Sequence, residues 1–132
     1  SRHQSVHSSA SGKAILAYLN EAERDEILNQ LDFVRLTPNT IYRREAFLHE
    51  LSRIRKMGWA VDAEENVEGI SCVAAPLLDM DSLPAAAISI TAPTFRMPQA
   101  RILEIAEELT RVAQEISTRF LGYHPTRSPN RK

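Results

Sequence analysis

Five residues in the middle of the chain have side chains suited to chemistry: Asp62, Ser71, Cys72, Ser89 and Thr91. One thiol, three hydroxyls and a carboxylate could serve nucleophilic catalysis, with Cys72 or Ser71 attacking, or could offer hydrogen bonds to a small polar ligand. Catalysis requires more than a nucleophile. Gly69-Ile-Ser71-Cys-Val73 opens like a nucleophile elbow, yet the closing glycine is missing and the strand pattern continues instead of turning into a helix. A reactive Cys72 would need a histidine or a helix terminus beside it, and the local sequence offers neither. His3, His7, His49 and His124 share no metal-ligand spacing, and three of them lie in segments without periodicity. The four glycines, at 12, 58, 69 and 122, cannot build a phosphate-cradling loop. No metal or cofactor is called for, and the balance favours binding over catalysis.

The spacing of the hydroxyls is strand-like. Successive side chains of a strand alternate between faces, so in the stretch from Ala85 to Pro93 the residues Ala86, Ile88 and Ile90 share one side. Ala85, Ala87, Ser89 and Thr91 share the other. In the preceding strand Ile70, Cys72 and Ala74 face away from Ser71, Val73 and Ala75. If Cys72, Ser89 and Thr91 look into the same space, they line a shallow polar pocket over a sheet. A cluster of serines at 8, 9 and 11 precedes a helix carrying Ile15, Leu16 and Leu19, and it is suited to capping. The free N–H groups near Ala10 and Ser11 at such a helix start are a ready anion site.

The elements that must position these groups follow from periodicity. A helix from Asn20 buries Ile27, Leu28 and Leu31, with Glu21, Glu23 and Asp25 favourably placed in its first turn. Thr37-Pro-Asn-Thr40 signals a turn. A third helix over 44–57 presents Phe47, Leu48, Leu51 and Ile54, closed by Gly58. Trp59 to Asp62 is a short strand leading into an acidic loop, and a hairpin is expected around Asp79 to Leu83. A long helix over 98–121 carries Ile102, Ile105, Leu109, Val112, Ile116 and Phe120 at steps of three and four. It is expected to lie across the Ile88 and Ile90 side of the sheet. Residues 1–7 look like a loose arm, and 123–132 a disordered tail. The tally is α+β with an antiparallel sheet.

Bulk properties bound the function. A length of 132 residues with 43% hydrophobic content suits one core. The formal charge of −1 argues against direct nucleic-acid contact by this piece, since such domains are distinctly basic. A single cysteine excludes an internal disulfide and fits a reducing cytosol. No apolar run approaches the ~20 residues of a membrane span, so a cytoplasmic domain is expected.

Five short segments, in order, resemble the C-terminal effector-binding domain of IclR-type bacterial transcriptional regulators. They are Ser11-Gly-Lys-Ala-Ile-Leu-Ala17, Leu36-Thr-Pro-Asn-Thr-Ile41, Glu50-Leu-Ser-Arg-Ile-Arg-Lys-Met-Gly-Trp-Ala-Val-Asp62, Glu68-Gly-Ile-Ser-Cys-Val-Ala-Ala-Pro76 and Ala87-Ile-Ser-Ile-Thr-Ala-Pro93. The resemblance implies a GAF-like fold over residues 1–122: a curved antiparallel sheet with helices on both sides and a long C-terminal helix. It implies that the first strands of that domain, and a winged helix-turn-helix domain through which DNA is bound, lie outside this chain.

The same resemblance implies a ligand site. Backbone amides of Ala10 and Ser11 would meet the carboxylate of a small organic acid, and Asp62 would bond a hydroxyl or carbonyl of that ligand or an ordered water. Cys72, Ser89 and Thr91 would line the wall. Thr91 stands where close relatives often have serine, and Ala10 and Ser11 where some have Gly-Ala, which alters the pocket volume. Homodimers or homotetramers are implied as well. The rival readings are a small cysteine or serine hydrolase using Cys72 or Ser71, and a purely structural dimerisation module.

Overall fold

The structure, a computed structural model, describes residues 2–125, with side chains from Ser5 onward. Residues 126–132, most of the expected tail, lie outside the described residues. A short 3-10 helix, Arg2–Ser8, leads into α1 (Ala10–Tyr18), α2 (Glu21–Gln30) and α3 (Arg44–Met57). Strands β1 (Ala60–Ala63), β2 (Ile70–Leu78) and β3 (Pro84–Pro93) follow, and α4 (Gln99–Phe120) closes the order. The strands form one antiparallel sheet in the order β1-β2-β3. Helices α1 and α3 pack on one face and α4 on the other, giving an α+β sandwich.

The alternation read from the sequence is realised. Ala60, Cys72 and Ala74 join Leu16, Phe47, Leu51 and Ile54 in the cluster under α1 and α3. Val73 and Ala75 join Ile102, Ile105, Ala106 and Leu109 on the α4 side, with Ile88 at the margin. Phe47 is fully buried, which alone is worth about 1.5–3 kcal/mol of transfer free energy. Helix α3 ends where expected: Gly58 takes a left-handed φ of 90° and its N–H donates to the Ile54 carbonyl at 2.7 Å. The β2–β3 hairpin is also as expected, because Asp79 Oδ1 accepts from the N–H groups of Asp81 and Leu83 at 2.8 and 3.1 Å.

Four expectations are corrected. The segment read as a loose arm is the 3-10 helix, and its His7 is buried. The His7 ring donates from Nε2 to the Val34 carbonyl at 2.8 Å and stacks edgewise on Phe33, which stacks in turn on Phe47. An aromatic relay invisible to periodicity thus ties the start of the chain to the core. In α2 only Leu28 is buried, while Ile27 is exposed. On β3, Ile90 is exposed as well, because α4 crosses chiefly β2 and leaves β3 as an open edge.

The stripe of α4 is the fourth correction. Its buried line is Ile102, Ile105, Ala106, Leu109, Ala113 and Ser117, whereas Phe120 is 75% exposed. Small side chains let the last turns approach the sheet, and Ser117 makes a specific contact there. The Leu78 N–H donates to Ser117 Oγ at 2.9 Å, and that hydroxyl donates to the Ala113 carbonyl at 2.7 Å. Ser117→Ala leaves the Leu78 amide buried without an acceptor, so it should cost about 1–3 kcal/mol. Urea denaturation reads this; an unchanged midpoint would show that the Leu78 amide finds another partner.

Candidate functional site

The start of α1 is built by Ser9. Its hydroxyl accepts the Gly12 N–H at 3.0 Å and its carbonyl accepts the Lys13 N–H at 3.0 Å. Among the described residues the amides of Ala10 and Ser11 have no partner, which leaves the two donors that the helix geometry predicts. Ser8 braces the start from outside, donating to Asn66 Oδ1 at 3.1 Å.

Helix α1 lies over the sheet where register brings three predicted residues into one row. Asp62 pairs with Cys72, and Cys72 pairs with Thr91. Ser89 sits one pleat along, opposite Ala74. Thr91 Oγ1 donates to Cys72 Sγ at 3.2 Å. All six predicted site residues, Ala10, Ser11, Asp62, Cys72, Ser89 and Thr91, line one cavity of about 260 Å³. Ser9 and Asn66 add polar lining, and Val67 and Ile70 add an apolar wall. The volume falls just below the ~300–1,000 Å³ of pockets for drug-sized ligands, so a small molecule fits it. A larger groove of about 510 Å³ is lined almost wholly by one side of α3 and contains none of the six predicted residues. Ser89 and Thr91 are exposed, because the cavity opens along the free edge of β3.

Asp62 is only 6% exposed and its role begins with its own turn. Its Oδ1 accepts the Glu65 N–H at 2.7 Å. Burial pushes its pKa up, against the opposing pull of that amide and of Lys13. Thr37 and Thr40 fix the same turn, donating to the carbonyls of Glu64 and Glu65 at 2.6 and 2.5 Å. The turn read at Thr37 to Thr40 is therefore a latch on the β1–β2 connection.

Behind this turn lies a residue that sequence reading missed. Lys13 is 0% exposed, and its Nζ donates to Glu65 Oε1 at 2.7 Å, to Glu50 Oε2 at 2.9 Å and to the Val61 carbonyl at 2.7 Å. All three ammonium hydrogens are thus used. Glu65 Oε2 also accepts the Ala63 N–H at 3.1 Å. The two carboxylates respond differently to one cation. Burial raises the pKa of Glu65 despite Lys13, and nearby Asp62 adds to the rise. Burial also acts on Glu50, but Lys13 and the Arg53 guanidinium together outweigh it and hold Glu50 below the usual range. A sequence signal did exist: Lys13 stands at helical spacing with Ala10, Leu16 and Ala17, all of which are buried.

Among the described residues neither nucleophile candidate is hydrogen-bonded to a base. Ser71 faces the α4 side, where its hydroxyl shares a 2.8 Å hydrogen bond with that of Thr94. Cys72 has Thr91 as its nearest polar partner, and Thr91 cannot act as a base. Among the described residues no group of His, Cys, Asp and Glu could hold a metal ion, and no helix is long and apolar enough to cross a membrane.

Comparisons with known proteins bear on the family of the chain. The family model for the C-terminal region of the bacterial transcriptional regulator IclR matches residues 1–118. The HTH-type transcriptional regulator XynR of Escherichia coli K12 is 37% identical over 122 residues, 92% of this chain and 48% of that protein. The crystal structure of Thermotoga maritima IclR superposes with a TM-score of 0.85 at 42% identity, covering 89% of this chain and 47% of that one. The inducer-binding domain of the PobR transcription factor from Acinetobacter, a double mutant in complex with 3-hydroxybenzoic acid, gives 0.77 at 29% identity over 85% and 66% of the two chains. The chain spans about half the length of the curated relatives it matches. A family match over nearly the whole length and a common shape agree: the chain belongs to the family of IclR C-terminal domains of bacterial transcriptional regulators.

Proposed function

We propose that this domain is the effector-sensing and self-associating part of a cytoplasmic transcriptional regulator, and that it is not an enzyme. A small carboxylic acid binds in the cavity between α1 and the sheet, and a winged helix-turn-helix domain outside this chain contacts the operator. Ligand binding biases the domain between arrangements that place the DNA-binding domains differently, which requires unequal affinity for the two states. Exposed Met80, Phe95 and Phe120 supply apolar surface suited to a homodimer or homotetramer.

One observation carries this reading. Two amides without partners among the described residues, at Ala10 and Ser11, share a small cavity with the hydroxyls of Ser89 and Thr91 and the carboxyl of Asp62. The amides suit a carboxylate, and the carboxyl and hydroxyls suit a second polar group on the same ligand. The PobR domain was solved with 3-hydroxybenzoic acid, a molecule bearing both groups. Against the hydrolase reading stand the partners of Ser71 and Cys72, neither of which is a base.

Calorimetry against hydroxy, keto and aromatic acids, each with its matched alcohol and amine, tests the proposal. The acid should bind and its alcohol should not. Ser89→Ala and Thr91→Val should each weaken the best acid by about 1 kcal/mol, roughly fivefold, the usual worth of a hydrogen bond between neutral groups. Parent-like binding by both variants would place the acid elsewhere.

A further inference from the structure

Resting on the reading above, we propose that the acid enters this site together with a proton, which Asp62 takes up. Among the described residues the cavity has no lysine, arginine or histidine in its lining, and its one carboxyl group is that of Asp62. The nearest ammonium, Lys13, has no hydrogen to spare, since Glu50, Glu65 and the Val61 carbonyl take all three. A bound carboxylate therefore meets backbone amides, hydroxyls and one buried carboxyl, with no free cation to balance the two acids. Two like charges confined in one cavity do not both stay ionised. The proton belongs to the pair as a whole, and it is held at the carboxyl that burial already disposes to carry it.

The surroundings of Asp62 make the imbalance worse. From α1 it faces Lys13, and from its own turn Glu65. Helix α3 contributes Glu50 and, beyond it, the half-exposed Arg53. From β2 comes Cys72, and β3 offers only hydroxyls. Glu64 points away to the Gly69 amide, and His7 of the 3-10 helix is committed to the Val34 carbonyl. Two cations thus stand among three carboxylates before any ligand arrives. A protonated Asp62 also turns from an acceptor into a donor, able to hold a hydroxyl, carbonyl or carboxylate oxygen of the ligand while its Oδ1 keeps the Glu65 amide.

The test is calorimetry of the intact domain with 3-hydroxybenzoate, lactate and glyoxylate at one pH in buffers of different ionisation heat. The observed heat should scale with the buffer's ionisation heat at a slope approaching one proton taken up per acid bound. The Kd should rise by about tenfold per pH unit once the pH exceeds the raised pKa of Asp62. Asp62→Asn carries its donor permanently, so its slope should fall to zero and its Kd should not vary with pH. Binding with no proton uptake by the parent, or uptake that persists in Asp62→Asn, overturns this inference and leaves the sensor reading intact. If Asp62→Asn does not fold, Asp62→Ser, which keeps an acceptor for the Glu65 amide and cannot titrate, takes its place with the same two outcomes. If none of the acids binds, the sensor reading falls and this inference with it.

Discussion

Replacing Lys13 by methionine should destabilise the domain by about 3–5 kcal/mol, the usual cost of removing one partner from a buried ion pair. That is a large share of the ~5–15 kcal/mol that holds a domain of this size together. Methionine matches the stem in length and burial, so the loss comes from the ammonium. Glu50 and Glu65 lose their shared counter-ion and the Val61 carbonyl loses its donor. The pH dependence identifies the cause. In the parent, Glu50 lies below its usual range, so the stability it contributes is lost as the pH falls through that lowered value. Without Lys13 the carboxylates are held charged by little, and their cost is relieved as the pH falls. The deficit of Lys13→Met relative to the parent should therefore shrink on acidification. Adding Glu50→Gln and Glu65→Gln should restore most of the stability at neutral pH. Denaturation of the three proteins between neutral and acid pH measures this; a deficit unchanged by pH, or no recovery in the triple variant, would place the loss in packing.

Lys13 also marks where sequence reading stops. The strand faces were legible because alternation is a geometric property of extended backbone: Cys72, Ser89 and Thr91 share the α1 side without reference to partners. The bounds of α3 were legible because its apolar spacing ends at Gly58, where only a left-handed residue fits well. Lys13 has the right spacing for burial but the wrong polarity. Its partners, Glu50 and Glu65, are 37 and 52 residues away, so nothing local announces them. Likewise Ser117 replaces Phe120 on the contact line of α4 because it satisfies Leu78, a residue 39 positions earlier. The acids after Asp62 read as a loop of charges, yet Glu65 is a buried strut within it. Pairings between distant polar groups, and close approaches that depend on small side chains, are tertiary facts that periodicity cannot encode.

Gly12→Ala should destabilise the domain by about 2–4 kcal/mol, although propensity alone predicts a gain of about 0.5–1 kcal/mol for alanine inside a helix. Space decides the sign. A Cβ at this position would lie 2.5 Å from the Val6 carbonyl oxygen and 2.7 Å from Ser9 Oγ. The first contact is with backbone, so the 3-10 helix must shift as a unit and carry buried His7 and Ser8 with it. The second displaces the hydroxyl that caps Gly12, a loss of about 1 kcal/mol by itself. Both movements occur beside Ala10 and Ser11, whose amides are the proposed anchors for the acid. Affinity should therefore fall by more than tenfold even at temperatures where the variant is fully folded. Ser117→Ala lies on the far side of the sheet and serves as the reference, since it lowers stability without touching the cavity. If Gly12→Ala melts lower yet binds the acid as Ser117→Ala does, the start of α1 is structural support and the ligand's carboxylate is held elsewhere.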